Sequence, residues 1–473
     1  MSDTNSNVDN SKIHRIFNAQ LINQYVVSES LAKQRINKLQ KLSTTLMKYN
    51  GEIKEALYLD YKRPAAEVDL TEIFPVTSGI KYAIKHLSEW IAPQKVATPL
   101  SLFGSSSWIQ YEPKGVCLII SPWNYPVQLA LGPLTSAIAA GNTVIIKPSE
   151  ITPHSSSVLR KIIEEVFDEN EVAVVEGAVE VATELLKLPF NHIFFTGSPE
   201  VGKIVMTAAA KKLASVTLEL GGKSPVIVDE TADISIAVTR ISMAKFSNNG
   251  QMCIVPDYVF IHASKIEEFE KAVKSRILDF YGEDAAQSAS YMRIVNVRNF
   301  NRIKSYIDNA IENGAKIVHG GESDINDNFI EPTVLTNVPL NSLVMQNEIF
   351  GPVLPIIAYT NLNEVISFIR SGEKPLALYI YSKNKQNIRQ ILRSTSAGGT
   401  CINNNALHYY NHNLPFGGSN NSGIGKSHGK FGFLEFSNER AVYKQILPSP
   451  LDFLKPPFNN KKMKFIKLIL KWF

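Results

Sequence analysis

The sequence predicts an α/β fold with two largely parallel sheets. From Gly115 onward, apolar runs typical of buried strands alternate with stretches compatible with helices, a pattern of parallel sheets covered on both faces. A first series of four runs is followed by a second series of similar length, so two α/β domains are expected. The runs are VCLII at 116–120, TVIIK at 143–147, VAVVE at 172–176 and HIFFT at 192–196, then PVIVD at 225–229, YVFIH at 258–262, KIVHG at 316–320 and LALYIYS at 376–382.

Length and composition agree with a globular protein of more than one domain. The chain has 473 residues, of which 44% are hydrophobic and 20% are charged. A chain of this length exceeds one simple core, so two or three domains are expected. The ordinary composition excludes global disorder, collagen and coiled coil.

The net charge of +5 belongs to the C-terminal tail rather than to the body of the chain. Six lysines follow Asp452 with no acidic residue among them, and without them the acidic and basic residues nearly cancel. A nucleic-acid-binding protein needs a basic face on its folded domain. We therefore expect no nucleic-acid partner.

The pattern changes outside the two strand series. Residues 11–95 carry apolar residues at spacings of three and four, which predicts helices. A break rich in Pro, Gly and Ser spans Pro93–Ser107 and is followed by a short strand pattern at Trp108–Tyr111. The glycine-rich segment Pro415–Gly432 predicts a loop system. A late, isolated strand pattern at Ala441–Ile446 is expected to pair outside its own sheet.

Two features bear on the cellular compartment. Residues 1–12 are polar and do not match a secretory signal, and no apolar run approaches the roughly 20 residues that span a bilayer. The few cysteines do not form a disulfide framework and favour a reducing compartment. They are Cys117, Cys253 and Cys401. Cytoplasmic residence is the simplest interpretation.

A glycine-containing turn follows the strand run at 192–196. Gly197 to Lys203 matches the spacing of a phosphate-binding loop as far as the lysine, but Ile204 stands where magnesium binding requires Ser or Thr. Gly425-Lys426-Ser427 ends in the same way, but Asn420 replaces the first glycine. ATP hydrolysis is therefore not expected. The turn at Gly197 is either a tight strand-to-helix connection or an anion site, for example for pyrophosphate, at a helix N-terminus.

Two residues are candidate catalytic groups. Cys253 lies in a polar stretch, where a loop or helix start lowers a thiol pKa, although an ordinary core cysteine is the alternative. Cys117 lies inside a strand run and Cys401 follows a Gly-Gly-Thr stretch, so neither is expected to be a nucleophile. Glu219 lies between two leucines and before paired glycines. It is either a general base whose pKa an apolar pocket raises, or a strand-end carboxylate facing solvent.

The strongest motifs occur in a fixed order along the chain. They are SPWNYP at 121–126, AGNTVIIKPSE at 140–150, FTGSPEVGK at 195–203, LELGGKSP at 218–225, GQMCIVPD at 250–257, NEIFGPVLP at 347–355 and PFGG at 415–418. Together they resemble the aldehyde dehydrogenase superfamily, most closely its class 3 branch, over residues 15–450. Similar bacterial members include carotenoid-aldehyde dehydrogenases.

The resemblance implies an aldehyde dehydrogenase-like α/β fold with a Rossmann-type cofactor domain, an α/β catalytic domain and a small oligomerisation arm. The NAD(P)-binding domain would comprise residues 1–100 and 112–222, and the catalytic domain residues 223–432. The arm would comprise 101–111 and 433–450, leaving 451–473 as a basic amphipathic tail. Class 3 members are typically dimers, so a homodimer is expected. An arm strand without a partner would leave an open sheet edge that can pair with other chains.

The same resemblance implies roles for individual residues. Cys253 would attack the aldehyde carbon to give a thiohemiacetal and then a thioester. The Asn124 side chain and the Cys253 backbone N–H would hold the oxyanion, and Glu219 would activate water for thioester hydrolysis. NAD or NADP is the expected cofactor, and no metal is expected. The cofactor-binding residues implied are Lys147 and Glu150 near the adenosine ribose, Gly197, Ser198, Val201 and Gly202 at the diphosphate turn, and Glu348 and Phe350 at the nicotinamide.

The expected function is NAD(P)-dependent oxidation of medium- or long-chain aliphatic, or aromatic, aldehydes to carboxylic acids. Glu219 favours a free acid product, since related enzymes that make acyl-CoA lack a glutamate there. One alternative is a carotenoid-aldehyde dehydrogenase with the same chemistry. An alternative of another class is a non-catalytic NAD(P)-binding structural protein, which would be expected to lack at least one of Cys253, Glu219 and Asn124.

The tail predicts an amphipathic helix from Lys461 to Phe473. Lys464, Lys467 and Lys471 fall on one face and apolar residues occupy the rest. Thirteen residues reach about 20 Å as a helix, too short for a hydrocarbon core of roughly 30 Å. The pattern suits a helix lying in an anionic membrane interface. The alternative is a tail that packs on the dimer partner or covers the substrate entrance.

Overall fold

The N-terminal segment is helical, as the spacing of its apolar residues predicts. The computed structural model describes residues 10–472, so residues 1–9 and Phe473, on which the signal and tail predictions partly rest, lie outside it. Leu39, Leu42 and Leu46 share one buried helix face. The helices are α1 (Asn10–Ser28), α2 (Ala32–Lys48), α3 (Asn50–Tyr61), α4 (Ala65–Val68) and α5 (Phe74–Trp90). A π-helical turn, Asp69–Ile73, joins α4 to α5 and buries Glu72 completely.

A small antiparallel sheet brings together distant parts of the chain. Its strands β1 (Gln94–Val96) and β2 (Ser105–Pro113) follow α5. The late segment Ser437–Gln445 pairs with β2 along its whole length. The strand pattern at Ala441–Ile446 thus pairs within the same chain. The break predicted at Pro93–Ser107 contains β1, a short exposed strand that has no alternating pattern and is fixed by its pairing with β2. The strand predicted at Trp108–Tyr111 is also longer, since β2 begins at Ser105.

The first large sheet has the strand order of a dinucleotide-binding fold. Its five parallel strands are the four predicted from apolar runs and one more that ends at Leu220. In chain order, the segments are β3 (Val116–Ile120), α6 (Gln128–Ala140), β4 (Thr143–Lys147), α7 (Pro153–Val166), β5 (Val172–Val174), α8 (Val179–Leu185), β6 (His192–Gly197), α9 (Pro199–Ala210) and β7 (Ser215–Leu220). The spatial order β7-β6-β3-β4-β5 reverses between β3 and β6, and ligands bind at such a reversal.

The second large sheet has seven strands and is parallel except at one edge. In chain order the segments are β8 (Pro225–Val228), α10 (Ile234–Phe246), β9 (Tyr258–His262), α11 (Ile266–Tyr281), α12 (Val297–Glu312), β10 (Lys316–His319), β11 (Ser323–Asp324), β12 (Phe329–Ile330), β13 (Thr333–Thr336), α13 (Leu343–Gln346), β14 (Val353–Tyr359), α14 (Leu362–Ser371), β15 (Ala377–Tyr381), α15 (Lys385–Ser394) and β16 (Gly399–Ile402). The spatial order is β10-β13-β14-β9-β8-β15-β16, and β11 pairs only with β12 among the described strands. Apolar clusters cover both faces of each large sheet, which confirms the predicted α/β class.

The C-terminal part returns to the first sheet and to the small sheet. The segments are β17 (Gly423–Ile424), α16 (Gly429–Glu435), β18 (Ser437–Gln445) and α17 (Asn460–Trp472). The short β17 adds an antiparallel strand beside β7, within the segment predicted to be a loop system. Among residues 10–472, no helix is both long and apolar enough to cross a bilayer.

Candidate active site

A cavity of about 730 Å³ lies where the two large sheets meet. It is lined by the segment after β3 and the ends of β6 and β7 from the first sheet, and by loops and the helices α12, α13 and α14 on the side of the second. Seven of the residues singled out from sequence line it: Asn124, Gly197, Ser198, Glu219, Cys253, Glu348 and Phe350. Lys147, Glu150, Val201 and Gly202 do not line it, nor do Cys117 and Cys401.

Cys253 follows a strained loop at the end of α10. Asn248 and Asn249 have φ angles of 50° and 49°, in the left-handed region that few residues other than glycine occupy. Hydrogen bonds hold this conformation: the Asn248 N–H donates to Glu67 Oε1 at 2.7 Å, and Asn249 Nδ2 donates to the carbonyl of Met292 at 3.0 Å. The loop that carries the thiol is therefore fixed by its surroundings.

Gly250 brings this loop against the segment that carries Glu348 and Phe350. Its φ is +68°, and a Cβ there would lie 2.2 Å from the carbonyl oxygen of Gly351. Only glycine allows both this backbone conformation and this approach. The two segments that reach the cavity from the second sheet are thus locked together.

The Cys253 thiol is protonated at neutral pH in this environment. Partial burial raises its pKa, and the nearby carboxyl groups of Glu219 and Glu348 raise it further. The expectation that a loop or helix start lowers this pKa is wrong, because desolvation and two acidic neighbours outweigh the local amides. The thiol must therefore lose its proton to a neighbouring base before it can attack.

Glu219 lies near the end of β7 and is only 6% exposed, so the solvent-facing alternative is excluded. Burial raises its pKa from 4.5 to about 7, while a hydrogen bond from Ser427 Oγ and the charge of Lys426 oppose the shift. A carboxyl group with this pKa takes up and releases a proton near neutral pH.

Asn124 lies four residues beyond β3, in a segment with many hydrogen bonds. Its side-chain Nδ2 donates to the carbonyl oxygen of Gln251 at 3.0 Å, which ties it to the Cys253 loop. Its own carbonyl oxygen accepts from the hydroxyl of Tyr61 at 3.1 Å and from Asn248 Nδ2 at 3.2 Å. The Asn124 amide carries two hydrogens, and the second is the donor that this site can offer to a ligand.

Glu348 and Phe350 complete the wall on the side of the second sheet. Glu348 Oε1 accepts from the Gly222 N–H at 3.1 Å, and a Cβ on Gly221 would lie 2.2 Å from its Oε2. Burial, with the charge of Asp257, raises the pKa of Glu348 to about 7. The Phe350 ring stands edge-on to Trp123 at a centroid distance of 5.5 Å.

The turn after β6 is a tight connection that also lines the cavity. Ser198 caps the 12-residue helix α9, since its Oγ accepts from the Val201 N–H at 3.4 Å. Gly202 faces β7, where a Cβ would lie 2.8 Å from Leu220 Cδ2. The two interpretations of the turn are therefore compatible: it packs a helix on a strand, and Gly197 and Ser198 remain at the cavity wall.

Lys147 and Glu150 lie at the same edge of the first sheet, one strand further along. Lys147 ends β4, is 4% exposed, and its Nζ lies 2.6 Å from Glu150 Oε2. The Ser121 N–H donates to the Lys147 carbonyl at 3.1 Å, which joins this position to the segment after β3. A cofactor lying across the strand reversal would extend from these two residues toward the cavity.

The residues of this edge fit a dinucleotide. The wall contains a helix N-terminus and glycines that allow close approach, which suit a diphosphate. Buried Lys147 and exposed Glu150 offer a donor and an acceptor for a sugar. Within residues 10–472, no group of three or more His, Cys, Asp or Glu is placed to hold a metal ion.

A second cavity of about 50 Å³ lies behind Glu219. Its lining is rich in aromatic and small residues, and Glu219 and Leu129 line both cavities. The aromatic and imidazole side chains are Trp90, Phe194, Tyr409, Tyr410, His412 and His428. Glu219 therefore stands between the two cavities.

Several residues that hold the site together belong to no motif that predicts this role. Ser427 resembles only the end of a phosphate loop in the sequence, yet it donates to Glu219. Arg63, Glu67 and Glu72 lie in a segment predicted only to be helical, and each contacts an active-site segment. The available signal was four charged residues, Arg63, Glu67, Asp69 and Glu72, within ten residues of a helical stretch.

Comparisons with known proteins agree in family over most of the chain. A model of the aldehyde dehydrogenase family matches residues 4–442. The putative aldehyde dehydrogenase AldX of Bacillus subtilis is 46% identical over 435 residues, which cover 92% of this chain and 98% of that protein. The 4,4'-diaponeurosporen-aldehyde dehydrogenase of Staphylococcus aureus is 45% identical over 437 residues, covering 92% and 94%. The solved substrate-bound state of Staphylococcus aureus AldH matches with a TM-score of 0.92 and 42% identity, over 97% of this chain and 99% of that one.

The acidic surroundings of Cys253 predict the pH dependence of its alkylation. The rate with iodoacetamide should be low near pH 7 and rise steeply into the alkaline range, because burial and two carboxylates hold the thiol protonated. Glu219→Gln and Glu348→Gln should each increase the rate at about pH 8, because this slow alkylation follows the equilibrium fraction of thiolate, which an ionised carboxylate lowers. Mass spectrometry of the Cys253 peptide measures the alkylation rate. Glu200→Gln, at an exposed residue of the same cavity, is the matched control. Wild-type rates in both test variants would contradict the prediction.

Proposed function

The chain belongs to the aldehyde dehydrogenase family, and we propose that Cys253, Asn124 and Glu219 divide the chemistry of aldehyde oxidation among them. The protein oxidises aldehydes with NAD or NADP as cofactor. The observation that carries the assignment of roles is the convergence of these three side chains on one cavity at the strand reversal of the first sheet. A non-catalytic protein on this fold would have no need of all three.

In the first half-reaction, Cys253 Sγ bonds to the aldehyde carbon and the carbonyl electrons move to oxygen. The thiol proton passes to a carboxylate, and Glu219 and Glu348 are the two whose pKa values near 7 suit that task. Asn124 Nδ2 and the Cys253 backbone N–H stabilise the oxyanion. When bound, NAD or NADP accepts the hydride that leaves the carbon, so a thioester remains on Cys253.

In the second half-reaction, Glu219 takes a proton from water as the water oxygen bonds to the thioester carbon. Cys253 then leaves as the thiolate, and the product is a carboxylic acid. Ser427 donates to Glu219 and fixes the orientation of its carboxyl group. Glu219 is buried between the two cavities, which limits access of bulk water and favours a single positioned water molecule.

The cofactor would lie along the edge of the first sheet. Lys147 and Glu150 would hold the adenosine ribose, and the turn Gly197–Gly202, with Ser198 and Val201, would face the diphosphate. Glu348 and Phe350 would hold the nicotinamide ribose and ring. These assignments rest on the strand order and on the position of Gly197, Ser198, Glu348 and Phe350 at the cavity wall. Lys147 and Glu150 lie one strand further along the same edge.

We propose that the substrate is a medium- or long-chain aliphatic aldehyde, or an aromatic one. The aromatic lining of the cavity behind Glu219 supports an apolar substrate chain. A carotenoid aldehyde is the second candidate, because a relative that is 45% identical is named for 4,4'-diaponeurosporen-aldehyde. Both candidates share the same chemistry at Cys253.

The proposed domain division follows the two sheets. The chain leaves the first sheet at Leu220 and begins the second at Pro225, close to the proposed boundary at 222/223. Residues 101–111 and 433–450 would form the arm, and most of β2 and β18 falls within them. Within the described residues, β18 and β16 each lie at a sheet edge, and unpaired edges favour pairing with another chain. We propose a homodimer in which such edges are covered.

The C-terminal tail is proposed to dock this cytoplasmic enzyme on an anionic membrane surface. The helix α17 exposes Leu468 and Leu470, which are 54% and 78% exposed, beside the lysine face. Its Phe465 ring packs edge-on against Phe453 at 5.8 Å, so the helix rests on the turn that precedes it. A tail that packs on the dimer partner or covers the substrate entrance is the alternative.

The first prediction from this function concerns substrate and nucleophile. A panel of aldehydes from two to sixteen carbons, assayed with NAD and with NADP, should show kcat/KM rising with chain length. Cys253→Ala should abolish the activity, while cofactor binding and the thermal unfolding midpoint stay unchanged. Cys401→Ala, at a buried thiol outside the cavity, is the matched control and should keep the activity. Substantial activity in Cys253→Ala would exclude it as the nucleophile.

The second prediction separates the two half-reactions. Glu219→Gln should release a burst of roughly one reduced cofactor per active site and then turn over slowly. The reason is that the substitution impairs hydrolysis of the thioester, a step that follows acylation and reduction of the cofactor. In the wild type, single-turnover deacylation should rise with pH through about 7, because Glu219 acts as a base only when ionised. Stopped-flow absorbance measures both. Wild-type steady-state turnover in Glu219→Gln would remove it from this role.

The third prediction concerns the tail. Full-length protein should sediment with phosphatidylglycerol vesicles at low salt, and less so at high salt or with phosphatidylcholine vesicles. Deletion of residues 458–473, or Gln at Lys464, Lys467 and Lys471, should prevent sedimentation. Gln at Lys271, Lys274 and Lys383, exposed lysines outside the tail, is the matched control. Full-length protein that stays in the supernatant would exclude membrane docking, and loss of the dimer on deletion would favour the packing alternative.

A further inference from the structure

Three charged side chains from the segment between α3 and α5 contact both active-site segments, although none of them lines the cavity. Arg63 and Glu72 are fully buried, and Arg63 Nη1 lies 2.8 Å from Glu72 Oε1. A buried ion pair contributes little net stability, because desolvation offsets the attraction. Such a pair does fix the geometry of the groups bonded to it.

This ion pair holds both ends of the segment that carries Asn124. Arg63 Nη1 donates to the carbonyl of Asn124 at 3.3 Å, and the guanidinium stacks on the Tyr125 ring at 4.4 Å. Glu72 Oε2 accepts from the Gln128 N–H at 2.6 Å, at the start of α6. Since α6 has no side-chain cap of its own, Glu72 satisfies its N-terminus from another element.

The third residue holds the loop that carries Cys253. Glu67 Oε1 accepts from the Asn248 N–H at 2.7 Å and from Ser247 Oγ at 2.9 Å. Asn248 is the first residue of the left-handed pair in this loop, and its Nδ2 donates back to the Asn124 carbonyl at 3.2 Å. The Asn124 carbonyl oxygen therefore links the segment of Asn124 to the loop of Cys253. Both are held by side chains from the short helical stretch between α3 and α5.

A π-helical turn brings the supporting charges together. The turn Asp69–Ile73 has i→i+5 hydrogen bonding, which aligns residues five apart more closely than an α-helix does. Glu67 and Glu72 are five apart, and Arg63 lies within 3.9 Å of the first and 2.8 Å of the second. Such turns are frequent at functional sites.

We propose that Arg63, Glu67 and Glu72 are positioning residues that keep the oxyanion donor Asn124 and the nucleophile Cys253 in register. This inference rests on the proposed roles of those two residues. None of the three touches the cavity, so they act only through the segments that they hold. Their loss should impair the chemical step and leave cofactor binding intact.

The test begins with Glu67→Ala, because this residue lies at the rim of the cluster, with 16% of its side chain exposed. The variant should lower kcat by about 10- to 100-fold, as expected when reacting groups are displaced by about 1 Å. KM for the aldehyde and the Kd of NAD, from fluorescence titration, should stay near wild-type values. Alkylation of Cys253 without cofactor should be faster, since a looser loop exposes the thiol. Glu89→Gln, on the exposed side of α5, is the matched control and should match the wild type.

A second variant tests the buried ion pair between Arg63 and Glu72. Arg63→Met with Glu72→Leu removes both charges at once and should fold, because neither charge is left unpaired. It should again show reduced kcat with unchanged Kd for NAD. Wild-type kcat in either folded variant, or a parallel loss of cofactor affinity and unfolding midpoint, would overturn the proposal. Activity that survives in Cys253→Ala would instead contradict the proposed function on which it rests.

Discussion

Parallel strands that end at one edge of a sheet are the constraint on which this site depends. The segments after β3, β4 and β6, and the end of β7, contribute Asn124, Lys147, the turn at Gly197 and Glu219 in succession. They are separated by more than twenty residues in sequence, yet adjacent strands place them side by side. On the side of the second sheet, the loops with Cys253 and Glu348, residues of α12 and α14, and the loop 372–375 enclose the cavity. The order of strands thus decides which side chains meet.

Burial of ionisable groups is the second determinant of the site. The Cys253 thiol and the carboxyl groups of Glu219 and Glu348 all have raised pKa values, and desolvation is the largest cause for each. A thiol with two ionised neighbours would be a poor nucleophile, but carboxyl groups with pKa near 7 exchange protons readily at neutral pH. The same low polarity that holds the thiol protonated therefore supplies bases suited to deprotonate it.

The sequence predicts this architecture well where one element decides the outcome. Continuous apolar runs predicted four of the six strands of the first large sheet and four of the seven strands of the second. Glu219 between two leucines indicated an acid in an apolar place. Prediction from the sequence failed where a segment distant in sequence determines the local structure or the pKa of a residue. The strand at Gln94–Val96 exists because β2 pairs with it, and the bond from Ser427 to Glu219 depends on β17 lying beside β7. The thiol pKa was predicted in the wrong direction because burial, the largest cause, and two acids from other parts of the chain both raise it.

The pairing of β2 with β18 has a consequence for the order of folding. The ladder joins segments so distant that Arg440 Nη1 and Glu112 Oε1, at 2.8 Å, are separated by 328 residues in sequence. Contacts of such long range close late, because the entropy of closing the loop must be overcome first. During synthesis both large sheets can form while β2 is paired with β1 but still lacks β18. Closure of the small sheet therefore waits for Ser437–Gln445, so subunits meeting through this sheet would do so only after every strand of both large sheets has been made.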